Sequence, residues 1–191
     1  MTMPVDMTEL AKAHDIRNVP DAGDDHIANG GFRWLDSTEA EVWLLYLEVS
    51  RRIAERMNRQ LIETSDLSAG EYDILARLSA APERTLRMSQ LAERALYSRS
   101  RLTRTVIRME TDGLVKRTPC PDDGRGVFCT LTDPGSVRLA AAAPGHVAEV
   151  RQMLFDVLDT GEIAQLGERL LKIARVLRHE EAMSGRLTPD S

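Results

Sequence analysis

The sequence predicts a mainly α protein with one small β-hairpin, and three observations carry that expectation. From residue 36 onward most apolar residues recur at helical spacing. One stretch, roughly 114–131, changes to strand-like alternation around a turn rich in Pro, Asp and Gly. Aromatic residues make up only 4% of a chain that is 42% apolar, which suits helix packing better than a β-sandwich. At 191 residues the chain can build one substantial core or two small ones sharing an interface.

Residues 1–35 mix Asp, Gly, Asn and Pro, as in "NVPDAGDDHIANGG". They predict a partly disordered arm with a short helix near Met7–Ala13. The first long helix follows. Thr38 with Glu41 fits a capping box, and the run continues to about Ile62 without Gly or Pro, its middle apolar on nearly every face. "LSAGEYDILARLSAA" opens with a second box, Ser68 with Glu71, and ends before Pro82. "MSQLAERAL" and "SRSRLTRTVIRMETDG" predict two short helices joined near Tyr97, the second closed at Gly113 by a left-handed cap. "LVKRTPC" and "VFCTLT" predict two strands flanking "PDDGRG". A helix starting at Pro134 should bend or break at Pro144-Gly145. The last helix, about Gly161–His179, sets Ile163, Leu166, Leu170, Ile173 and Leu177 at alternating steps of three and four, a heptad seam.

Several classes drop out. The opening residues lack the basic start and apolar stretch of a signal peptide, and "VWLLYL" and "LAAAA" are too short to span a bilayer, so a cytoplasmic protein with no membrane partner is expected. Cys120 and Cys129 make neither a disulfide framework nor a CxxC pair. They lie on the two hairpin strands beside Lys116 and Arg117, which leaves oxidant sensing open. His14, His26, His146 and His179 have no metal-ligand spacing. There is no P-loop, GxGxxG or nucleophile motif. No enzyme activity, metal or cofactor is expected.

Net charge is −5, yet Arg84 to Arg125 holds ten Lys and Arg against five Asp and Glu, leaving −10 for the rest. A basic island in an acidic body suits a polyanion. Within it, a helical projection at about 100° per residue keeps Val106 and Met109 near Leu102 as an inward stripe. Ser100, Thr103, Arg104 and Ile107 then face outward, flanked by Arg101 and Arg108. Such a helix fits a major groove, where Arg pairs with guanine O6 and N7 and small hydroxyl residues allow close approach. A solvated arginine-rich face is the plainer reading of the charge run. The hairpin downstream, with Arg125 between Gly124 and Gly126, favours the former, because an arginine on such a tip can reach a narrow minor groove. Two short helices followed by a hairpin describe a winged helix-turn-helix.

From Leu67 to Gly135 the chain resembles the MarR family of winged-helix transcriptional regulators. The resemblance rests on "LA" before the turn, "RMETDGLVKR", the wing "DDGRG" and the exit "LTDPG". It implies a winged helix-turn-helix DNA-binding domain at 67–132 and a helical dimerisation region formed by 36–66 and 133–183. The arm, 1–35, is longer than in the family, and 184–191 forms a tail. It also implies an obligate homodimer on a pseudo-palindromic operator in double-stranded DNA, acting as a repressor released by a small aromatic or anionic effector. The candidate DNA-binding residues are Ser98, Arg99, Ser100, Arg101, Thr103, Arg104, Arg108, Asp123, Gly124 and Arg125. Arg125 takes the minor-groove role, and Asp123 orients the tip. Candidate effector residues are Trp34, Trp43, Tyr46, Asp73 and Arg77; Trp43 and Tyr46 also suit a core or interface, and Asp73 and Arg77, four apart, also suit pairing with each other. A winged helix that docks onto protein without reading DNA is the competing possibility.

Overall fold

A computed structural model describes residues 27, 28, 32–121 and 123–184, with side chains described over 34–121 and 126–178. The helix expected near Met7–Ala13 lies outside the described residues. The chain divides into two compact units, Met1–Arg56 and Met57–Ser191.

In the first unit β1 (Ile27–Ala28) and β2 (Phe32–Arg33) pair antiparallel, Ala28 opposite Phe32, a strand pair within the arm that the sequence reading did not anticipate. Helix α1 (Ser37–Ser65) starts in this unit and continues into the second. Its capping box forms two residues earlier than expected. The Asp36 carboxylate accepts the Glu39 N–H at 2.8 Å, and the Glu39 carboxylate accepts the Asp36 N–H at 3.1 Å. Asp is as good a cap as Thr, and once the helix starts at Ser37, Thr38 lies inside it and can no longer cap. Leu44 is buried here, while Val42, Trp43, Leu45, Tyr46 and Val49 stay exposed.

The second unit runs through α2 (Ala69–Ser79), a 3₁₀ turn at Pro82–Arg84, β3 (Thr85–Arg87), α3 (Met88–Ala95) and α4 (Arg99–Thr111). The hairpin β4 (Val115–Cys120) and β5 (Asp123–Leu131) follows, then α5 (Asp133–Val150), a π-helical turn at Arg151–Phe155 and α6 (Thr160–Ser184). The sheet has the antiparallel order β3-β5-β4. Strand β3 was not foreseen; at three residues it is too short to show a period, and its pairing with β5 creates it.

One core joins these elements. Leu61 of α1, Ile74, Leu75 and Leu78 of α2, Leu91 of α3, Leu102, Val106 and Met109 of α4, and Val115, Cys129 and Leu131 of the hairpin are all buried in it. Gly135 sits where a Cβ would collide with the Leu114 carbonyl oxygen, so α5 lies tight against the start of the hairpin. Thr132 links the two, accepting the Gly135 N–H and donating to the Gly113 carbonyl. Pro144 and Gly145 do not interrupt α5; the helix runs on to Val150, and its regular winding ends only at the π-helical turn.

Helix α4 closes as expected. Gly113, at φ +71°, donates to the Glu110 carbonyl, and Leu114 donates to Met109. The same motif ends α3 without a glycine: Leu96 holds φ +55° and donates to Glu93, while Tyr97 donates to Ala92. A left-handed leucine costs about 1–2 kcal/mol, and Leu96 is 79% exposed, so its side chain returns little. Leu96→Gly is therefore predicted to raise unfolding stability by about 1 kcal/mol, read as a higher midpoint in urea with an unchanged slope.

Candidate nucleic-acid interface

Helix α4 is held from below and presents a polar face above. Leu102, Val106 and Met109 are no more than 1% exposed, whereas Ser100, Thr103, Arg104 and Ile107 are exposed, as the helical projection requires. Ser98 caps the helix, its hydroxyl accepting the Arg101 N–H at 3.3 Å. The Thr103 hydroxyl donates to the Arg99 carbonyl at 2.8 Å, which leaves its lone pairs outward as acceptors.

The arginines of this helix occupy three different settings. Arg104 makes no ion pair among the described residues and stands in solvent. Arg101 lies over the Tyr97 ring at 4.3 Å, a cation–π contact that orients it toward the turn. Arg108 reaches back to Glu71, Nη2 to Oε1 at 2.7 Å and Nε to the same oxygen at 2.9 Å. Glu71 is a buried acid whose other oxygen accepts both the hydroxyl and the N–H of Ser68. Burial alone would raise its carboxyl pKa, but the Ser68 donors and Arg108 outweigh it and hold Glu71 below the ordinary carboxylate range. Arg108 is thus engaged in holding α4 against the start of α2. The capping-box spacing marked Glu71, but nothing local linked it to Arg108.

The hairpin differs in detail from its expected form. Pro119 pairs with Val127, yet Cys120 pairs with Asp123, so Gly124, Arg125 and Gly126 form an excursion within β5 instead of the turn itself. The backbone of Asp123, Gly124 and Arg125 is strand. At the base of β4, Glu110 of α4 accepts the Arg117 N–H at 2.7 Å and its Nε at 2.8 Å, fixing the strand to the helix. Those donors lower the Glu110 pKa. Cys120 and Cys129 are both buried, and burial, with the nearby Glu110 charge, pushes the Cys129 thiol up to about 12. Oxidant sensing needs a thiolate, so Cys129 is unsuited to it.

The effector candidates separate. Trp34, Trp43 and Tyr46 belong to the first unit, where the Trp43 and Tyr46 rings stack at 5.8 Å. Asp73 and Arg77 belong to the second and form the (i, i+4) pair at 2.8 Å that the sequence left open. Arg77 also lines a cleft of about 1180 Å³ with Arg94, Tyr97, Leu177 and Arg178. Among the described residues no group could hold a metal ion and no helix is long and apolar enough to cross a membrane.

Glu71 sets a pH dependence. Its folded pKa is depressed below the ordinary 4.5, so its contribution is present above that value and is lost as pH falls through the lowered folded pKa. Glu71→Gln is predicted to cost about 1–2 kcal/mol at neutral pH, the exposed side of the pair being discounted. Urea titrations from neutral pH down to about 3 should show parent and variant converging in acid. A constant gap would contradict the assignment.

Residues 65–126 match the MarR family. The crystal structure of Sco3205, a MarR family transcriptional regulator from Streptomyces coelicolor in complex with DNA, is 40% identical, covering 76% of this chain and 92% of that one at a TM-score of 0.74. A mutant MarR from E. coli complexed with operator DNA is 25% identical over 73% of this chain and 99% of that one, at a TM-score of 0.63. The transcriptional repressor YetL of Bacillus subtilis is 26% identical over 65% of this chain and 74% of its own length.

Proposed function

The chain belongs to the MarR family of DNA-binding transcriptional regulators, and from that premise we propose that it is a repressor that binds a pseudo-palindromic operator as a homodimer and leaves it when a small aromatic or anionic effector binds. The observation that carries the reading is the outward face of α4. Ser100, Thr103, Arg104 and Ile107 stand exposed over a fully buried Leu102, Val106 and Met109, beside a hairpin that carries Arg125. Ser98, Arg99, Ser100, Arg101, Thr103 and Arg104 supply the major-groove contacts, Arg104 a bidentate base contact among them. Arg125, flanked by Gly124 and oriented by Asp123, reads minor-groove width. Arg108 acts through its grip on Glu71.

Dimerisation is supported by apolar residues that one chain leaves in water. Besides Val42, Trp43, Leu45, Tyr46, Val49 and Ile62 of α1, Leu170, Leu171, Ile173, Val176 and Leu177 of α6 are about half exposed, on the helix that carries the heptad seam. A dimer of this class sets its two recognition helices about 34–36 Å apart, one turn of DNA. Repression follows from occupancy of the operator, and the similarity to YetL, a named repressor, favours that polarity. For release, Trp34, Trp43, Tyr46, Asp73 and Arg77 remain the candidate residues. The cleft that Arg77 lines has three arginines for an anion and Tyr97 for an aromatic ring, and Tyr97 carries Arg101 of the recognition helix. An effector that prefers the non-binding state by a few kcal/mol is sufficient.

Selection of bound fragments from random double-stranded DNA should enrich one pseudo-palindrome. Absence of enrichment would favour a protein-docking winged helix. On the selected operator, Arg104→Ala is predicted to lose about 1–3 kcal/mol at one base position per half-site, whereas Arg125→Ala should lose more than about ten-fold in affinity and become indifferent to A·T content under the wing. Leu170→Glu combined with Ile173→Glu replaces exposed residues, so each chain should still fold. Sedimentation should show the dimer lost at micromolar concentration, and a mobility-shift titration should show weakened operator binding.

A further inference from the structure

Helix α4 carries one side chain that neither the core nor an ion pair uses. Ile107 is 45% exposed, a large apolar group on the outward face among Ser100, Thr103 and Arg104. The other large apolar residues of the helix, Leu102, Val106 and Met109, are all buried. Helix propensity does not account for it, since a β-branched residue is a weaker helix former at a solvent position than Ala, Lys or Glu. The groups around it are short of donors. Thr103 and Thr111 stand four residues either side of Ile107, and each spends its hydroxyl proton on the helix itself, Thr103 on the Arg99 carbonyl at 2.8 Å and Thr111 on the Ile107 carbonyl at 3.1 Å. Arg108, the next residue, is committed to Glu71. Thr103, Ile107 and Thr111 therefore make an exposed stripe at i, i+4 and i+8 with an isoleucine at its centre and Arg104 beside it.

The floor of a major groove offers one apolar group, the C5-methyl of thymine; the rest of its edge pattern is donors and acceptors. We propose that Ile107 reads that methyl group, so that each half-site requires a thymine within two base pairs of the one that Arg104 contacts; the proposal rests on the DNA-binding reading above. The spacing follows from the helix. Arg104 and Ile107 are three residues apart on one face, about 4.5 Å along the axis at about 1.5 Å per residue, little more than one base step of about 3.4 Å. An aliphatic side chain covers polar base edges without pairing with them, which is unfavourable, and gains only where it meets a methyl. Cytosine is rejected on the same ground: it lacks the methyl and presents an amino donor that Ile107 cannot satisfy.

The operator selected from random DNA supplies the test. Replacing one thymine at a time with deoxyuridine removes the methyl and leaves every hydrogen-bonding group in place. At one position per half-site this should weaken the parent about four-fold, the worth of one buried methyl group. Ile107→Ala should be weakened at least as much on the thymine operator and be indifferent to deoxyuridine at that position. Ile107→Val keeps a branched apolar group and should keep the deoxyuridine effect, which separates a lost contact from a disturbed helix. Exchanging the T·A pair there for C·G should weaken the parent, and 5-methylcytosine in the same place should recover part of the loss.

If no deoxyuridine position affects the parent more than it affects Ile107→Ala, while the parent still selects its operator, the thymine contact is wrong and the DNA-binding reading stands. A deoxyuridine effect only at thymines more than two base pairs from the position lost in Arg104→Ala would overturn it as well. Equal weakening of Ile107→Ala on operator and scrambled DNA would overturn it in favour of packing against the sugar-phosphate backbone. A parent that binds no DNA would overturn both readings.

Discussion

The carboxylate of Glu71 is the constraint on which the recognition surface depends. It caps α2 through the Ser68 hydroxyl and N–H, and with its other oxygen it holds Arg108 of α4. A buried acid with fewer donors would be protonated or expelled, so the three partners must be present together. Their joint presence ties the roll of α4 to α2. With Leu102, Val106 and Met109 fixed in the core, the helix has one rotational setting, and that setting turns Arg104 outward.

Glu110, two residues beyond Arg108 on α4, repeats the device. It fixes β4 to α4 through Arg117, and the Gly113 cap and the Thr132 bridge add further links between α4, the hairpin and α5. The proposed two-groove contact would gain from such a fixed arrangement, since a small misplacement of either element loses both contacts. The same carboxylate, added to burial, keeps Cys129 a neutral thiol, so a sulfur inside the sheet stays chemically quiet.

The elements differ in how they treat apolar surface. The winged region buries Leu75, Leu78, Leu91 and Leu102, whereas among the described residues α1 buries Leu44 yet leaves Val42, Trp43, Leu45, Tyr46 and Val49 in water, and α6 leaves Leu170, Leu171, Ile173, Val176 and Leu177. Exposed apolar surface of this extent is what association surfaces carry, and it supports the homodimer proposed above. The charge is divided too: positive residues gather between Arg84 and Arg125, and the rest of the chain is acidic.

What the sequence determined by itself was local and periodic. The inward stripe of α4, the Ser68 and Glu71 box, the Gly113 cap and the strand alternation around "PDDGRG" each depend on residues within a few positions of one another, where helical and strand periods carry the information. Tertiary structure decided the rest. Asp36 and Thr38 both had a glutamate three residues on, and the entry point of the chain selected the first. Three residues of β3 became a strand only by pairing with β5 some forty positions away. Arg104 and Arg108 are alike in sequence, and only Glu71, 37 residues removed from Arg108, assigns one to the fold and leaves the other to solvent. The physical reason is common to all three: a charge or an unpaired backbone group takes its role from whatever partner folding brings within about 3 Å, and sequence spacing does not encode that partner.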